Sequence, residues 1–133
     1  ATITGDKDGS DNWEYVKSRD PKGTADAETN YPAFNFAATY ATTAGITGEI
    51  AEGWYMPSLA ELCELYKNKD TLNTSLSKCS GTQFRDDSYW SSSQVDDTMT
   101  GPHEAWYLDF RDGYFFNELK SSRSNYVCCV RAF

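Results

Sequence analysis

Two stretches in the first half of the chain repeat their apolar residues at the spacing of an α-helix. In the first, the apolar side chains from Phe34 to Ala41 recur at intervals of three, four and seven positions, which places them on one helical face. Pro32 suits the first turn of such a helix, and Gly45 suits the position just beyond its end. The pattern therefore predicts a helix over residues 31–44.

The second stretch begins with a capping box formed by Ser58 and Glu61. In this motif the serine side chain accepts a hydrogen bond from the Glu61 amide, while the Glu61 carboxylate accepts one from the serine amide. An apolar stripe then runs from Leu59 to Tyr66 at helical spacing. We predict a helix that begins at Leu59, followed by a third, short helix over residues 70–78.

The chain changes character after Gly81 and alternates with the period of a β-strand. Trp106, Leu108 and Phe110 occupy every second position, and Asp112-Gly113 is a strong signal for a hairpin turn. Further short strands are predicted over residues 13–16, 89–93, 114–116 and 126–133. Helices followed by an antiparallel sheet predict an α+β fold, with one domain over residues 1–133.

Composition and charge exclude several classes of partner. The chain has 133 residues, of which 39% are hydrophobic and 15% aromatic, so it can bury a core of its own. Its 12 basic and 20 acidic residues give a net charge of −8, which argues against nucleic acid and anionic membranes as partners. No apolar run approaches the ~20 residues of a membrane helix. Because the chain opens at Ala1 without a leader, we expect it to be the C-terminal part of a longer protein.

The four cysteines and the single histidine do not form a metal-binding or redox motif at the level of sequence. Buried free thiols and one or two disulfides both remain open. Cys128 and Cys129 are adjacent, so in a strand at most one of them would face the core of a one-sided sheet. The acids of residues 5–11 lack the later Glu of a helix–loop–helix calcium site, and a solvated loop is favoured there. We expect no metal and no cofactor.

Three segments together resemble a known family. They are GWYMPSLAEL at residues 53–62, YWSSS at residues 89–93, and AWYLDF at residues 105–110 with Gly113 and VCCVR at residues 127–131. Their order resembles bacterial C-type-lectin-like domains of the formylglycine-generating-enzyme type, and especially the variable proteins of diversity-generating retroelements. The resemblance implies two main helices packed on a short, twisted antiparallel sheet. It also implies display on a bacterial cell or phage particle and binding of protein or glycan targets through a diversified C-terminal surface.

The residues predicted to face outward between positions 93 and 126 are rich in Tyr, Ser, Asn, Asp and Arg, as in an antibody paratope. Phe115 and Phe116 are ambiguous, since in a strand one points inward and the other outward. The predicted ligand-binding face contains Asp96, Asp97, Thr98, His103, Tyr107, Asp109, Arg111, Asp112, Tyr114, Phe115, Asn117, Leu119, Ser121, Ser122, Arg123, Ser124 and Asn125. The resemblance also implies that adenine-directed mutagenesis rewrites Asn codons of a template. Framework positions, which cannot arise from an Asn codon in this way, are expected at Glu104, Trp106, Glu118 and Lys120, unless the template carried a Lys codon at the two Glu positions.

Other functions remain as alternatives. The domain could be a fixed adhesin that binds a surface glycan, for which its acidity predicts weak or no heparin binding, or a structural module of a larger assembly. The motifs of calcium-dependent sugar-binding lectins are absent from the sequence. Catalysis is disfavoured because His103 lacks evident partners and a buried thiol at Cys128 or Cys129 would be inert. We therefore expect a monomeric binding domain and not an enzyme.

Overall fold

The computed structural model describes residues 6–95 and 103–132. It contains six α-helices, two short 3₁₀ helices and five β-strands within these residues. The α-helices are α1 (Asn12–Arg19), α2 (Ala27–Asn30), α3 (Pro32–Ala38), α4 (Tyr40–Thr43), α5 (Leu59–Lys67) and α6 (Lys69–Lys78), and the 3₁₀ helices are Thr24–Asp26 and Gly48–Ala51. The strands are β1 (Trp54–Tyr55), β2 (Ser88–Gln94), β3 (Glu104–Asp109), β4 (Phe115–Leu119) and β5 (Val130–Arg131).

The strands form two small antiparallel sheets, which confirms the α+β class. One sheet has the order β2-β3-β4, and the other pairs β1 with β5. Helix α5 packs against β2 and β3, while α3 packs against β1. An isolated parallel bridge between Tyr89 and Tyr126 brings the chain after β4 back to the outer side of β2. In the described part of the chain, no helix has the length and apolar character that crossing a membrane requires.

The core consists of two apolar clusters that share the central sheet. The first gathers Phe34 from α3, Met56 and Trp90, all 2–3% exposed. The second gathers Leu62 of α5 with Leu108 and Phe110, all at most 1% exposed. Burial of large apolar side chains of this kind supplies the main stabilising free energy of the fold. The predicted helix stripe and the predicted alternation around β3 thus both face the core.

The predicted helix over residues 31–44 is interrupted and forms α3 and α4. The interruption is at Thr39, whose φ of −104° and ψ of 7° leave the helical region and whose hydroxyl donates to the Asn35 carbonyl. A β-branched residue that bonds the preceding turn is poorly suited to a helix interior. The expected ends are confirmed, since Pro32 lies in the first turn and Gly45 has a φ of +69°.

The predicted strand over residues 13–16 is wrong, because these residues lie in helix α1. Trp13 and Val16 are three positions apart and share a helical face. The Trp13 ring stacks on Phe34 at 5.2 Å, and Val16 is 4% exposed. The aromatic content of this short segment suggested a strand, whereas the spacing of its buried residues belongs to a helix.

The capping box at the start of α5 is confirmed in both directions. The Glu61 amide donates to Ser58 Oγ at 3.2 Å, and the Ser58 amide donates to Glu61 Oε2 at 2.8 Å. Glu61 also accepts from the Gly9 amide at 2.9 Å and from the Tyr55 hydroxyl at 2.8 Å. This one carboxylate therefore connects the N-terminal segment, β1 and α5.

The N-terminal loop is not fully solvated, which corrects the expectation for this segment. Asp6 is 6% exposed, and its Oδ2 accepts from Asn12 Nδ2 at 2.7 Å and from Ser93 Oγ at 2.8 Å. Asn12 Nδ2 also donates to Ser92 Oγ at 2.8 Å. Ser92 and Ser93 of β2 contact this segment, and the serines of β2 are all buried, so the polar sequence of β2 forms a buried polar layer.

The strand predicted over residues 126–133 is largely irregular as far as residue 132, where the description ends, and within residues 126–132 only β5 is a strand. Cys128 packs against the second core cluster and Cys129 against the first. The expectation that at most one of them faces the core is therefore wrong, because the segment lies between two apolar clusters and not on a one-sided sheet. All four cysteines are free thiols.

Candidate functional site

The β3–β4 hairpin presents a row of large apolar side chains at the edge of the central sheet. Strand β4 pairs with β3 alone among the described strands, so its outer edge is open. Three side chains of β4 and that of the residue just before it are 48–66% exposed, and we call them the hairpin surface: Tyr114, Phe115, Phe116 and Leu119. Exposed apolar groups that lie together in this way are typical of interaction surfaces.

The two phenylalanines of the hairpin surface contact aromatic residues of β3. The Phe115 ring meets Trp106 edge-on at 5.5 Å, and the Phe116 ring lies 5.9 Å from Tyr107. The register pairs Phe116 with Tyr107 and Phe115 with Leu108, so the two rings lie on opposite faces of the ribbon. The ambiguity is resolved: neither ring is buried, because both faces of this edge strand remain accessible.

Asp109 does not belong to the exposed face, contrary to the expectation from the alternating pattern. It is 7% exposed, and its carboxylate accepts from Arg111 Nη2 at 2.6 Å and from the Arg111 amide at 2.9 Å. The Arg111 guanidinium is the main cause that lowers the pKa of Asp109. The alternation fails here because the chain leaves β3 at Asp109 and turns its carboxylate into the hairpin loop.

Backbone and side-chain hydrogen bonds fix the segment after β4. Lys120 donates its amide to the His103 carbonyl at 2.8 Å, and Ser122 donates its amide to the Leu119 carbonyl at 2.9 Å. The Ser124 hydroxyl donates to Glu118 Oε2 at 2.7 Å, and Arg123 Nη2 donates to the Glu28 carbonyl at 2.7 Å. Residues 121–125 therefore form an ordered, polar continuation of the hairpin surface.

A pocket of about 280 Å³ lies between α3 and this segment, and we call it the α3 pocket. Its apolar lining includes Phe36, Trp90 and Tyr126, and its polar lining includes Ser122, Arg123 and Asn125. Phe36 and Tyr126 are each 42% exposed. Sequence reasoning missed both as site residues, although Phe36 carries a signal, since it is an aromatic residue on the polar side of the amphipathic pattern of α3.

A second, more polar cleft lies between α1 and the ends of β2 and β3. It includes His103 and Lys120, together with Asp20 and Tyr31. The Tyr31 hydroxyl donates to Asp20 Oδ2 at 2.7 Å, and burial followed by this bond raises the pKa of Tyr31 to about 12. Lys120 is 3% exposed and donates to Gln94 Oε1 at 2.5 Å. His103 therefore lines this cleft, which also reaches Ser121 and, on the hairpin surface, Leu119.

The remaining predicted site residues divide by exposure. The exposed ones are His103, Arg111, Asp112, Tyr114, Phe115, Asn117, Leu119, Ser121, Arg123 and Ser124, and the half-buried ones are Tyr107, Ser122 and Asn125. Asp96, Asp97 and Thr98 lie outside the described residues. The structure thus places the exposed residues from Tyr114 to Ser124 on both faces of β4 and on the segment that follows it, and Ser122, Arg123 and Asn125 of that segment line the α3 pocket.

The two adjacent thiols have the properties of packing groups. Burial raises the pKa of Cys128 to about 12, with a smaller contribution from Cys129, and burial raises the pKa of Cys129 to about 12 as well. A thiol with such a pKa is protonated at neutral pH and is a poor nucleophile. Cys79, by contrast, is exposed near the end of α6.

Comparison with known proteins gives one family. The family model of the Lcl C-terminal domain matches residues 4–131. No curated protein and no solved structure gives a significant match. The match spans both sheets, the capping box, the hairpin surface and the α3 pocket, and it supports a lectin-like, ligand-binding domain. The chain therefore belongs to the Lcl C-terminal domain family of C-type-lectin-like domains.

Proposed function

We propose that this domain displays a diversified recognition surface for protein or glycan targets, formed by the hairpin surface and residues 121–125. The observation that carries the proposal is the group of four large apolar side chains, 48–66% exposed, on an open sheet edge. Tyr and Phe offer large contact area at low conformational cost, and neighbouring Ser and Asn offer adaptable hydrogen bonds. Recognition then occurs by surface complementarity on a rigid scaffold.

The scaffold supports variation because the exposed side chains do little to hold the fold. Beneath them, Leu108 and Phe110 are at most 1% exposed, and the Asp109–Arg111 pair fixes the hairpin loop. Substitutions at exposed positions usually change stability by only ~0.5 kcal/mol. A retroelement that rewrites these codons would therefore change the ligand and leave the fold intact. We further propose that the domain acts as a monomer on a bacterial cell or phage particle, without a cofactor.

Binding is proposed in preference to catalysis. The raised pKa of Cys128 and Cys129 keeps both thiols protonated at neutral pH, which does not suit the chemistry of a reactive cysteine pair. His103 lines a cleft together with Asp20 and Tyr31. Among the described residues that line this cleft there is no cysteine, and the only serine is the exposed Ser121. A fixed adhesin with one dedicated glycan is the remaining alternative.

The test is deep sequencing of this gene across many cells of its source population. We expect substitutions to concentrate at codons 114–117, 119 and 121–125 and to spare Leu108, Asp109 and Phe110. Asp109 is the internal control of this test, because it lies near the variable codons in sequence but is buried. A population with an invariant segment contradicts diversification and favours the fixed adhesin, whereas changes as frequent at Phe110 as at Tyr114 contradict the assigned recognition surface.

A further inference from the structure

The α3 pocket differs in chemistry from the hairpin surface beside it. Its volume of about 280 Å³ is just below the range of about 300–1,000 Å³ for sites that hold drug-sized molecules, so it suits a smaller ligand. Trp90 is 2% exposed, whereas the Phe36 and Tyr126 rings are each 42% exposed. An apolar ring or short chain placed here would gain aromatic contact on both accessible rings. The pocket thus fits a small ligand and not an extended surface.

The formal charge of the pocket is opposite to that of the chain. The chain carries a net charge of −8, yet Arg123 is the charged residue among the described residues that line the pocket, and no carboxylate lines it. The guanidinium is oriented by its bond to the Glu28 carbonyl at 2.7 Å. That acceptor is neutral, and no ion pair to Arg123 occurs within residues 6–95 and 103–132. A guanidinium has five N–H donors, so most remain for an anionic group.

Asn125 adds a second, independent indication that the pocket suits a ligand with a hydrogen-bond acceptor. Its Nδ2 is buried and has no hydrogen-bond partner among the described residues. A buried amide donor without an acceptor destabilises the folded state. Because the side chain is half-buried and lines the pocket, rotation about its side-chain bonds would let the amide donate to a ligand oxygen. Two donor residues, Arg123 and Asn125, therefore border the same apolar space.

We propose that the α3 pocket binds the carboxylate of a small ligand whose apolar body packs on Phe36 and Tyr126. Arg123 donates to the carboxylate oxygens, and Asn125 donates to the same group or to a neighbouring carbonyl. The inference rests on the proposed function, since Arg123 and Asn125 also belong to the proposed recognition surface. The same chemistry is present in a free aryl or alkyl acid and in the C-terminal residue of a peptide.

The test uses nuclear magnetic resonance titration of the ¹⁵N-labelled domain with N-acetyl-L-phenylalanine and with its amide. The two probes share the apolar body and differ in the carboxylate alone. We expect saturable shifts of the Trp90 indole N–H, the Arg123 Nε–H and the Asn125 amide, with binding of the acid about tenfold or more tighter than that of the amide. Equal binding of the two probes, or shifts that map elsewhere, overturns the proposal.

A peptide arm separates the two sources of the carboxylate. A tetrapeptide that ends in Phe is compared with N-acetyl-L-phenylalanine. Tighter binding of the peptide assigns the pocket to chain termini, and equal or weaker binding assigns it to free small acids. Both outcomes require the carboxylate, so both support the pocket as a carboxylate site.

Variants give matched controls. Arg123→Gln and Asn125→Asp should each weaken binding of the acid by about tenfold or more, while Lys78→Gln changes the net charge by the same amount as Arg123→Gln outside the pocket and should leave it unchanged. Circular dichroism checks that each variant is folded. Unchanged affinity in a folded Arg123→Gln variant overturns the proposal.

The outcome is separable from that of the proposed function. Failure of the acid to bind, in a gene whose exposed codons vary, overturns the pocket alone. Binding of the acid by a domain whose population sequence is uniform overturns diversification alone.

Discussion

The Arg111 guanidinium donates hydrogen bonds to both carboxylate oxygens of Asp109 at the loop end of the β3–β4 hairpin. Its Nε lies 2.9 and 3.1 Å from the two oxygens, and its Nη2 lies 2.6 Å from one of them. The loop closes around this pair, since the Asp109 amide donates to the Tyr114 carbonyl and the Gly113 amide donates to the Asp109 carbonyl, both at 2.8 Å. The shape of the hairpin is thereby set by buried and backbone groups, and not by the exposed rings that follow.

We expect Asp109→Asn to lower the free energy of unfolding by about 1 kcal/mol at pH 7, because the bidentate ion pair with Arg111 is lost. The expected loss is small because the Arg111 side chain is largely exposed to solvent. The folded-state pKa of Asp109 is lowered, first by Arg111. Its contribution is therefore present above the ordinary pKa of about 3.9 and is lost as pH falls through the lowered value. Urea denaturation at pH 7 and pH 3 should show the gap between wild type and variant narrowing in acid.

The matched control for this prediction is Asp112→Asn in the same loop. The Asp112 Oδ1 atom accepts one bond from the Tyr114 amide at 3.0 Å, and an asparagine keeps that acceptor. We expect a change within ~0.5 kcal/mol. Equal losses for the two variants would mean that the Asp109–Arg111 pair contributes nothing specific.

Two aromatic residues of one hairpin should respond very differently to truncation. Phe110 is fully buried, and its ring lies 4.7 Å from Tyr89 and 5.4 Å from Tyr66, so Phe110→Ala should cost about 3–5 kcal/mol. Tyr114 is 66% exposed, so Tyr114→Ala should stay within ~0.5 kcal/mol. Thermal or urea unfolding measures both. A large loss at Tyr114 would assign it to the framework.

Glu61 should matter more than its partner in the capping box. Ser58→Ala removes one cap and should cost about 1 kcal/mol. Glu61→Ala removes bonds from Ser58, Gly9 and Tyr55 and should cost about 2 kcal/mol or more. Glu64→Ala, one turn later on the exposed face, is the control and should be nearly neutral. The ranking Glu61 > Ser58 > Glu64 in urea denaturation is the expected result.

Tyr31 and Tyr55 should titrate with strongly raised pKa values. Burial raises the pKa of Tyr31 and of Tyr55 to about 12, with further contributions from the bonds to Asp20 and Glu61. Because these pKa values are raised on folding, the stability they contribute is complete below the unfolded value of about 10 and is lost as pH rises toward 12. Absorbance near 295 nm should show delayed ionisation of these two residues, and Tyr31→Phe should remove one of the delayed steps.

Thiol reactivity should distinguish the four cysteines. Cys79 is exposed, whereas Cys128 and Cys129 have a pKa of about 12 through burial, and burial also raises the pKa of Cys63. At pH 8 a disulfide reagent should therefore modify one thiol rapidly in the native domain, and Cys79→Ser should abolish that phase. Rapid modification of Cys128 or Cys129 would contradict their role as packing groups.

Much of the framework could be predicted from local pattern. The capping box defined the start of α5 because both of its hydrogen bonds are local to four residues. The alternation through Trp106, Leu108 and Phe110 identified β3, and Asp112-Gly113 located the hairpin, where Gly113 has a φ of +80°. These features depend on neighbours in sequence and on the period of the element.

The site was predicted less well because it depends on contacts between distant segments. The alternating sequence pattern predicts an outward-facing Asp109, but the bidentate interaction with Arg111 holds its carboxylate in the hairpin loop. Phe36 joins the α3 pocket only because residues 122–127 fold back beside α3. The burial of Asp6 depends on Ser93, which no local pattern connects to it.

The buried polar layer beneath β2 has a consequence for the order of folding. Ser93 binds Asp6 across 87 positions of sequence, and Asn12 binds Ser92 across 80. Contacts between such distant residues carry a large loop-closure cost and slow the search for the native topology. The local hairpin of β3 and β4 and the capped α5 can form first, whereas α1 docks after the serines of β2 are in place. We therefore expect the proposed recognition surface to be complete before the N-terminal helix closes the molecule.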